Sequence, residues 1–166
     1  MSATPVFRPT ARVIVLDPDD RVLLFSFDDP RGPRSWLTPG GGLRRGEAPA
    51  AGAARELAEE TGFIIAPEDA GPVVATYGGR WKTDDGMLFF AADWFYCVKV
   101  PEAAVSTDDQ EALERSIITG YRWWTVGELL ETTDHIVPPG LADLVAQLLE
   151  NGIPGLPVQF PWRALV

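Results

Sequence analysis

Glu56, Glu59 and Glu60 lie in the stretch Arg55-Glu56-Leu57-Ala58-Glu59-Glu60-Thr61-Gly62-Phe63, which follows an isolated Glu47 and a glycine run, Gly40-Gly41-Gly42. On a helix, these three carboxylates fall within roughly a 100° arc, at about 100° per residue. Like charges that close repel one another unless cations neutralise them, and carboxylate oxygens suit a hard divalent ion. The pattern therefore predicts a divalent-metal site. The competing reading is a solvated acidic helix face, the usual fate of a charge run. Two features count against it. Acidic residues near a helix C-terminus oppose the macrodipole, so Glu59 and Glu60 are locally unfavourable without a partner. The glycines just upstream mark a place where backbone must approach something closely.

The element that carries these residues is readable. Ala48 to Thr61 is rich in Ala, Leu and Glu, which are good helix formers. Pro49 suits the first turn, where a missing N–H costs nothing, and Gly62 suits the position just past the end. Ala50, Ala53, Ala54, Leu57 and Ala58 form packing stripes of mostly small side chains, which let the helix lie close to a sheet.

The spacing Gly41, five residues, Glu47, seven residues, Arg55-Glu56 and on to Gly62 resembles the Nudix box, the signature of hydrolases that cleave nucleoside diphosphates linked to another group. The likeness spreads beyond the box. Trp36, Pro39 and Gly40 resemble the strand and turn that precede it. Arg122-Trp123-Trp124-Thr125 with Glu128-Leu129 is similar to a late strand and short helix, and Pro138-Pro139-Gly140 to the lead into the last helix.

The resemblance implies a Mg²⁺- or Mn²⁺-dependent pyrophosphohydrolase acting on a nucleotide or nucleoside diphosphate derivative, nucleoside triphosphates being the leading guess. It implies Glu56, Glu59, Glu60 and the Gly41 (or Gly40) carbonyl as metal ligands, with Glu56 or Glu59 also orienting the attacking water. Arg55 is expected to be a strut that fixes the glutamates, through Glu47. A further carboxylate from outside the box is expected as ligand or general base, with Glu114 first and Glu111 second among the acidic residues before Arg122. Arg80, Trp81, Lys82 and Arg44 are the candidate substrate contacts, Arg80 and Trp81 pairing a phosphate contact with base stacking on one loop. Arg12 and Arg45 are further cations for phosphate. Markers of the NADH pyrophosphatase, ADP-ribose and coenzyme A subfamilies are absent, so the subfamily stays open. A Nudix domain that only senses a nucleotide or binds a partner is the alternative, although such domains usually lose box glutamates and none is lost here. Isopentenyl-diphosphate isomerase shares the fold but needs a reactive Cys and histidine ligands; one Cys and one His make it a poor match.

The rest of the chain bounds these readings. At 166 residues it is read as a single domain, residues 1–166, with a core over about 10–150 and an extended tail over 152–166. A formal net charge of −10 argues against binding a nucleic-acid polymer or an anionic membrane, while leaving a small nucleotide-type substrate open through bound cations. Cys97 sits in an apolar run and reads as a core thiol, and His135 reads as structural. With no long apolar run and no signal-peptide pattern, the expected location is the cytoplasm. A homodimer is among the open arrangements. Strand-like runs at 11–16, 21–27, 63–66, 73–77 and 87–100, a strand over 121–125, a short helix over 126–130 and a helix over 141–150 predict an α/β fold: a mixed sheet flanked by helices, the α/β/α sandwich of Nudix proteins. Residues 78–86 read as a loop and 153–166 as a tail.

Overall fold

The computed structural model describes residues 4–28, 32–83, 85–111 and 118–162. Its centre is a parallel pair. β1 (Val6–Leu16) runs alongside β6 (Leu88–Lys99) from Val6 opposite Phe89 to Leu16 opposite Lys99. Their C-terminal halves, residues 13–16 and 95–98, are apolar and mostly branched or aromatic, as suits the part of a sheet covered on two faces. Beyond β6 lie β5 (Ala75–Lys82), antiparallel to it, and then β9 (Val158–Gln159), parallel to β5.

The other edge of β1 forks. Leu16 meets Val22 of β2 (Val22–Phe27), whereas Thr10 to Arg12 pair with β4 (Gly40–Gly42). β2 carries β3 (Ser35–Leu37) and β7 (Ile118–Trp124), and β8 (His135–Val137) extends β3. The fork opens a cleft between β1/β4 and β2/β7.

Strand alternation divides the core in two. Val13 and Val15 of β1, Leu23 of β2 and Tyr96 and Val98 of β6 pack under α1 (Pro49–Thr61), against Ala53 and Leu57. Ile14 and Leu16, Val22 and Leu24, and Phe95 point to the opposite face. They meet Leu141, Leu144, Val145 and Leu148 of α3 (Leu141–Asn151), and Trp124 and Leu129 join them. Leu129 belongs to α2 (Val126–Glu131), which opens on a capping box: Thr125 accepts from the Glu128 N–H while Glu128 accepts from the Thr125 N–H. The expected α/β sandwich, a mixed sheet between helices, is the fold observed.

Two expectations are corrected. Residues 63–66 form no strand; a 3-10 turn (Pro67–Ala70) follows, and β5 starts only at Ala75. Residues 78–82, read as loop because of two glycines, are strand: their backbone pairs with Leu88 to Ala92. The tail returns onto the chain's own sheet: β9 adds to the edge and Phe160 is buried against Phe95 and Tyr77. The misreading of 78–82 has a plain cause. Glycines look like loop locally, but the next strand of the hairpin, β6, supplies the hydrogen bonds that make them sheet.

Candidate active site

α1 begins at Pro49 and ends at Gly62, whose φ of 78° and N–H bond to the Ala58 carbonyl at 3.0 Å close the last turn. Its inner face is small. A Cβ on Gly52 would stand 2.2 Å from a Leu43 methyl, so the helix lies tight against the segment leaving β4. Gly41 plays the same part in β4, where an added Cβ would come within 2.8 Å of the Glu56 carboxylate. Bare backbone on both sides is what lets Glu56 and Glu60, only 5% and 4% exposed, sit between helix and β4.

Buried carboxylates need donors, and this site supplies them. Glu60 Oε2 accepts from the Gly40 N–H at 2.6 Å. Arg55 donates to Glu47 through Nε at 2.8 Å and Nη2 at 2.9 Å, a two-pronged contact, and its Nη1 reaches Glu56 at 2.7 Å and Glu59 at 3.2 Å. Nη2 also holds the Gly42 carbonyl at 3.1 Å, so one guanidinium ties the helix to the glycine strand. Glu47 additionally accepts from the Arg44 N–H at 2.8 Å, closing the turn. The Arg55 contact dominates in holding the Glu47 carboxyl down at about 2, and the same contact pushes the Arg55 guanidinium up. Arg44 itself is mostly exposed and touches Glu59 at 3.3 Å.

As the side chains lie, no three His, Cys, Asp or Glu residues among the described ones stand at ligand spacing. Glu60 faces Gly40, while Glu56 and Glu59 face Arg55. Mutual repulsion favours this separation, each carboxylate taking the nearest donor. The donor set still fits a hard divalent ion: three carboxylates on one helix face, beside the Gly41 backbone that approaches Glu56 without a side chain between them.

A cavity of about 180 Å³ opens at the fork of the sheet, lined by Arg12, Phe25, Phe27, Thr38, Gly40, Glu60 and Ile118. Arg12 donates to the Gly40 carbonyl at 2.9 Å, so the residue that holds Glu60 is itself held from the other side of the strand.

Comparison with known proteins decides the family. The NUDIX domain model matches residues 6–146. The chain belongs to the Nudix family. An RNA pyrophosphohydrolase of Caulobacter vibrioides is 35% identical over 147 residues, covering 81% of this chain and 79% of that protein. Nudix hydrolase 25 of Arabidopsis thaliana is 39% identical over 62 residues, covering 37% of this chain and 34% of that protein. Among solved structures, the ORF135 protein of E. coli superposes with a TM-score of 0.60 at 17% identity, over 92% of this chain and 96% of that one. An ADP-ribose pyrophosphatase of Streptococcus suis gives 0.58 at 15%, over 94% and 98%. The two structural likenesses speak for the fold. Family and sequence relative together make the chain a hydrolase of phosphoric anhydride bonds.

Not every expected residue gathers at the Nudix box. Glu114 lies outside the described residues; Glu111 is exposed. Arg80, Trp81 and Lys82 are on strand β5, not on a loop, so neighbours point to opposite faces. Trp81 stacks on Phe89 at 4.5 Å on the face that also carries Phe95, while Arg80 and Lys82 alternate away from it. The expected pairing of Arg80 with Trp81 around one ligand is therefore not available. Cys97 is packed against the α3-side core, and burial pushes its thiol up to about 11, which suits a core residue and not a nucleophile. His135 Nδ1 lies 3.2 Å from the Ser35 hydroxyl, at a strand end away from the box.

Two residues escaped the sequence reading. Gln110 is 5% exposed and donates to the Glu60 carbonyl at 3.3 Å, pinning the segment after β6 to the end of α1. No local pattern marks it. Asp93 receives a hydrogen bond from Thr10 and lies 3.9 Å from Arg12. Its signal was present: a carboxylate in the middle of an apolar strand.

Proposed function

We propose that this Nudix domain hydrolyses a diphosphate linkage in a small nucleotide or nucleoside diphosphate derivative, nucleoside triphosphates included, with Mg²⁺ or Mn²⁺ held by Glu56, Glu59, Glu60 and the Gly41 carbonyl. The observation that carries the reading is the pair of buried glutamates beside the side-chain-free strand β4, with Arg55 fixing one and Gly40 the other. A divalent ion there would supply charge neutralisation for phosphate oxygens and a lowered pKa for water. The protein's own groups do the rest. Arg55 and Gly40 limit the rotamers of Glu56 and Glu60, so little ordering remains when substrate arrives. Glu56 or Glu59 takes up the proton of the attacking water, and Glu114 is the candidate for a further carboxylate. Arg44 and Arg12 are cations within reach of the box for the phosphate chain.

A second reading, removal of pyrophosphate from RNA 5′ ends, is favoured by the Caulobacter relative. The net charge of −10 weighs against it, because an RNA chain needs cationic contacts along its backbone.

The test is a turnover screen with Mg²⁺ or Mn²⁺ on nucleoside triphosphates, ADP-ribose, dinucleoside polyphosphates, nucleotide sugars and 5′-triphosphorylated RNA. Glu59→Gln and Glu60→Gln are expected to lower turnover by roughly 100-fold or more, the scale of losing one transition-state charge contact. Turnover only on the RNA selects the second reading. Nucleotide binding with no turnover, unaffected by either substitution, would replace the hydrolase by a sensor domain.

A further inference from the structure

The sheet face opposite α1 carries a second constellation that the box does not use. Its rows are set by register: Tyr77 of β5, Asp93 of β6 and Thr10 of β1 stand side by side, and Gly79, Ala91 and Arg8 form the next row. The tail returns onto this face. β9 pairs with Ala75 and Thr76, Phe160 enters the core, and Trp162 then lies flat over Gly79. The fit requires glycine: a Cβ there would stand 2.3 Å from two indole ring atoms and 2.5 Å from a third. The ring's orientation is fixed twice, by its N–H donating to the Arg80 carbonyl at 3.3 Å and by Tyr77 at 4.9 Å between centroids.

A half-buried indole resting on a bare strand presents one face to the sheet and one outward. The next row holds a carboxylate, Asp93, 17% exposed, kept in place by the Thr10 hydroxyl and by Arg12. Arg12 in turn holds Gly40, whose N–H binds Glu60, so this face is joined to the carboxylate helix through two hydrogen bonds. A flat apolar platform one row along the sheet from an acceptor-only group, with Tyr77 between them, matches a planar heterocycle bearing N–H donors.

We infer that Trp162 and Asp93 form a base-reading site, in which the tail's indole stacks on the nucleobase and Asp93 accepts from its amino or imino N–H groups. This rests on the nucleotide reading above and narrows it to donor-bearing bases such as adenine or guanine, over bare polyphosphates. Trp162 and Asp93 are thus specificity residues, supplied by a tail and a strand outside the Nudix box.

Calorimetric titration of the full chain with AMP and GMP, with Ca²⁺ present and no turnover, tests the site separately from catalysis. Trp162→Ala should weaken binding about tenfold or more, the scale of losing one base–aromatic stack, and Trp162→Phe should recover most of it. Gly79→Ala, which lifts the indole, should act in the same direction and add little to Trp162→Ala. Asp93→Asn should weaken GMP and AMP, and the loss should exceed any change in inorganic tripolyphosphate binding that follows from its contact with Arg12. Melting curves on each variant separate these effects from loss of the tail's packing. Wild-type binding that Trp162→Ala and Asp93→Asn both leave intact, or no binding of either nucleotide by the wild type, overturns the inference. Failure of the turnover screen with nucleotide binding intact would overturn only the hydrolase reading.

Discussion

The two helices that cover the sheet do opposite jobs. α3 places Leu141, Leu144, Val145 and Leu148 on the sheet, all buried and all apolar. α1 buries Gly52, Ala53, Ala54 and Leu57, but also Glu56 and Glu60. The α3 face is a packing surface, where each side chain removes apolar area from water. The α1 face gives up that area: small residues bring the backbone close, and the space is filled by carboxylates that need Arg55 and backbone N–H groups to be tolerable. The difference teaches where this molecule keeps its stability and where it carries strain from buried charge for the sake of chemistry.

Substitutions on the two faces should therefore separate stability from turnover. The largest effect is expected from Arg55→Met. It leaves the buried Glu56 without its cation and also removes the part-buried Glu47 contact, and stripping the partner from a buried charge costs about 3–5 kcal/mol. Urea denaturation should show the loss, and turnover should fall with it because Glu56 loses its orientation. Leu144→Ala should be nearly as costly to folding, about 2–5 kcal/mol, through the cavity it leaves. Its turnover per folded molecule at low temperature should stay close to wild type, and a large drop would mean that α3 is not merely packing.

A smaller and pH-dependent effect sharpens the comparison. Glu47 has a folded-state value depressed from 4.5 to about 2. A depressed carboxyl stabilises the fold above its unfolded pKa, and that contribution drains away as pH falls from about 4.5 toward about 2. Glu47→Gln should thus cost about 1.5–3 kcal/mol at neutral pH, the range for a hydrogen bond to a charged group. The gap to wild type should close near pH 2 in acid-unfolding curves. A gap that stays constant with pH would show that Glu47 acts by packing and not by charge.

Local features were legible because local chemistry sets them. Pro49 and Gly62 bracket α1 within the bounds their φ preferences impose, and Arg55, Glu56, Glu59 and Glu60 reveal themselves by spacing alone. The apolar, β-branched run of β1 and the helical periodicity of α3, about 3.6 residues per turn, are local signals of the same kind. The region from Gly78 to Lys82 was misread because glycine propensity says loop, and only the partner β6 makes it strand.

By itself, then, the sequence determined the carboxylate helix, its caps, the box that names the family and the mixed α/β class, since each depends on residues within one or two turns of one another. The tertiary structure alone decided which way those carboxylates face, that Arg80 and Trp81 part to opposite sides of a strand, and that the tail returns as β9 to seat Trp162 on Gly79. Those outcomes depend on which strands pair and in what register, from the β5–β6 hairpin to the tail's return onto β5, and register is set by the summed packing of the whole sheet, which no single segment encodes.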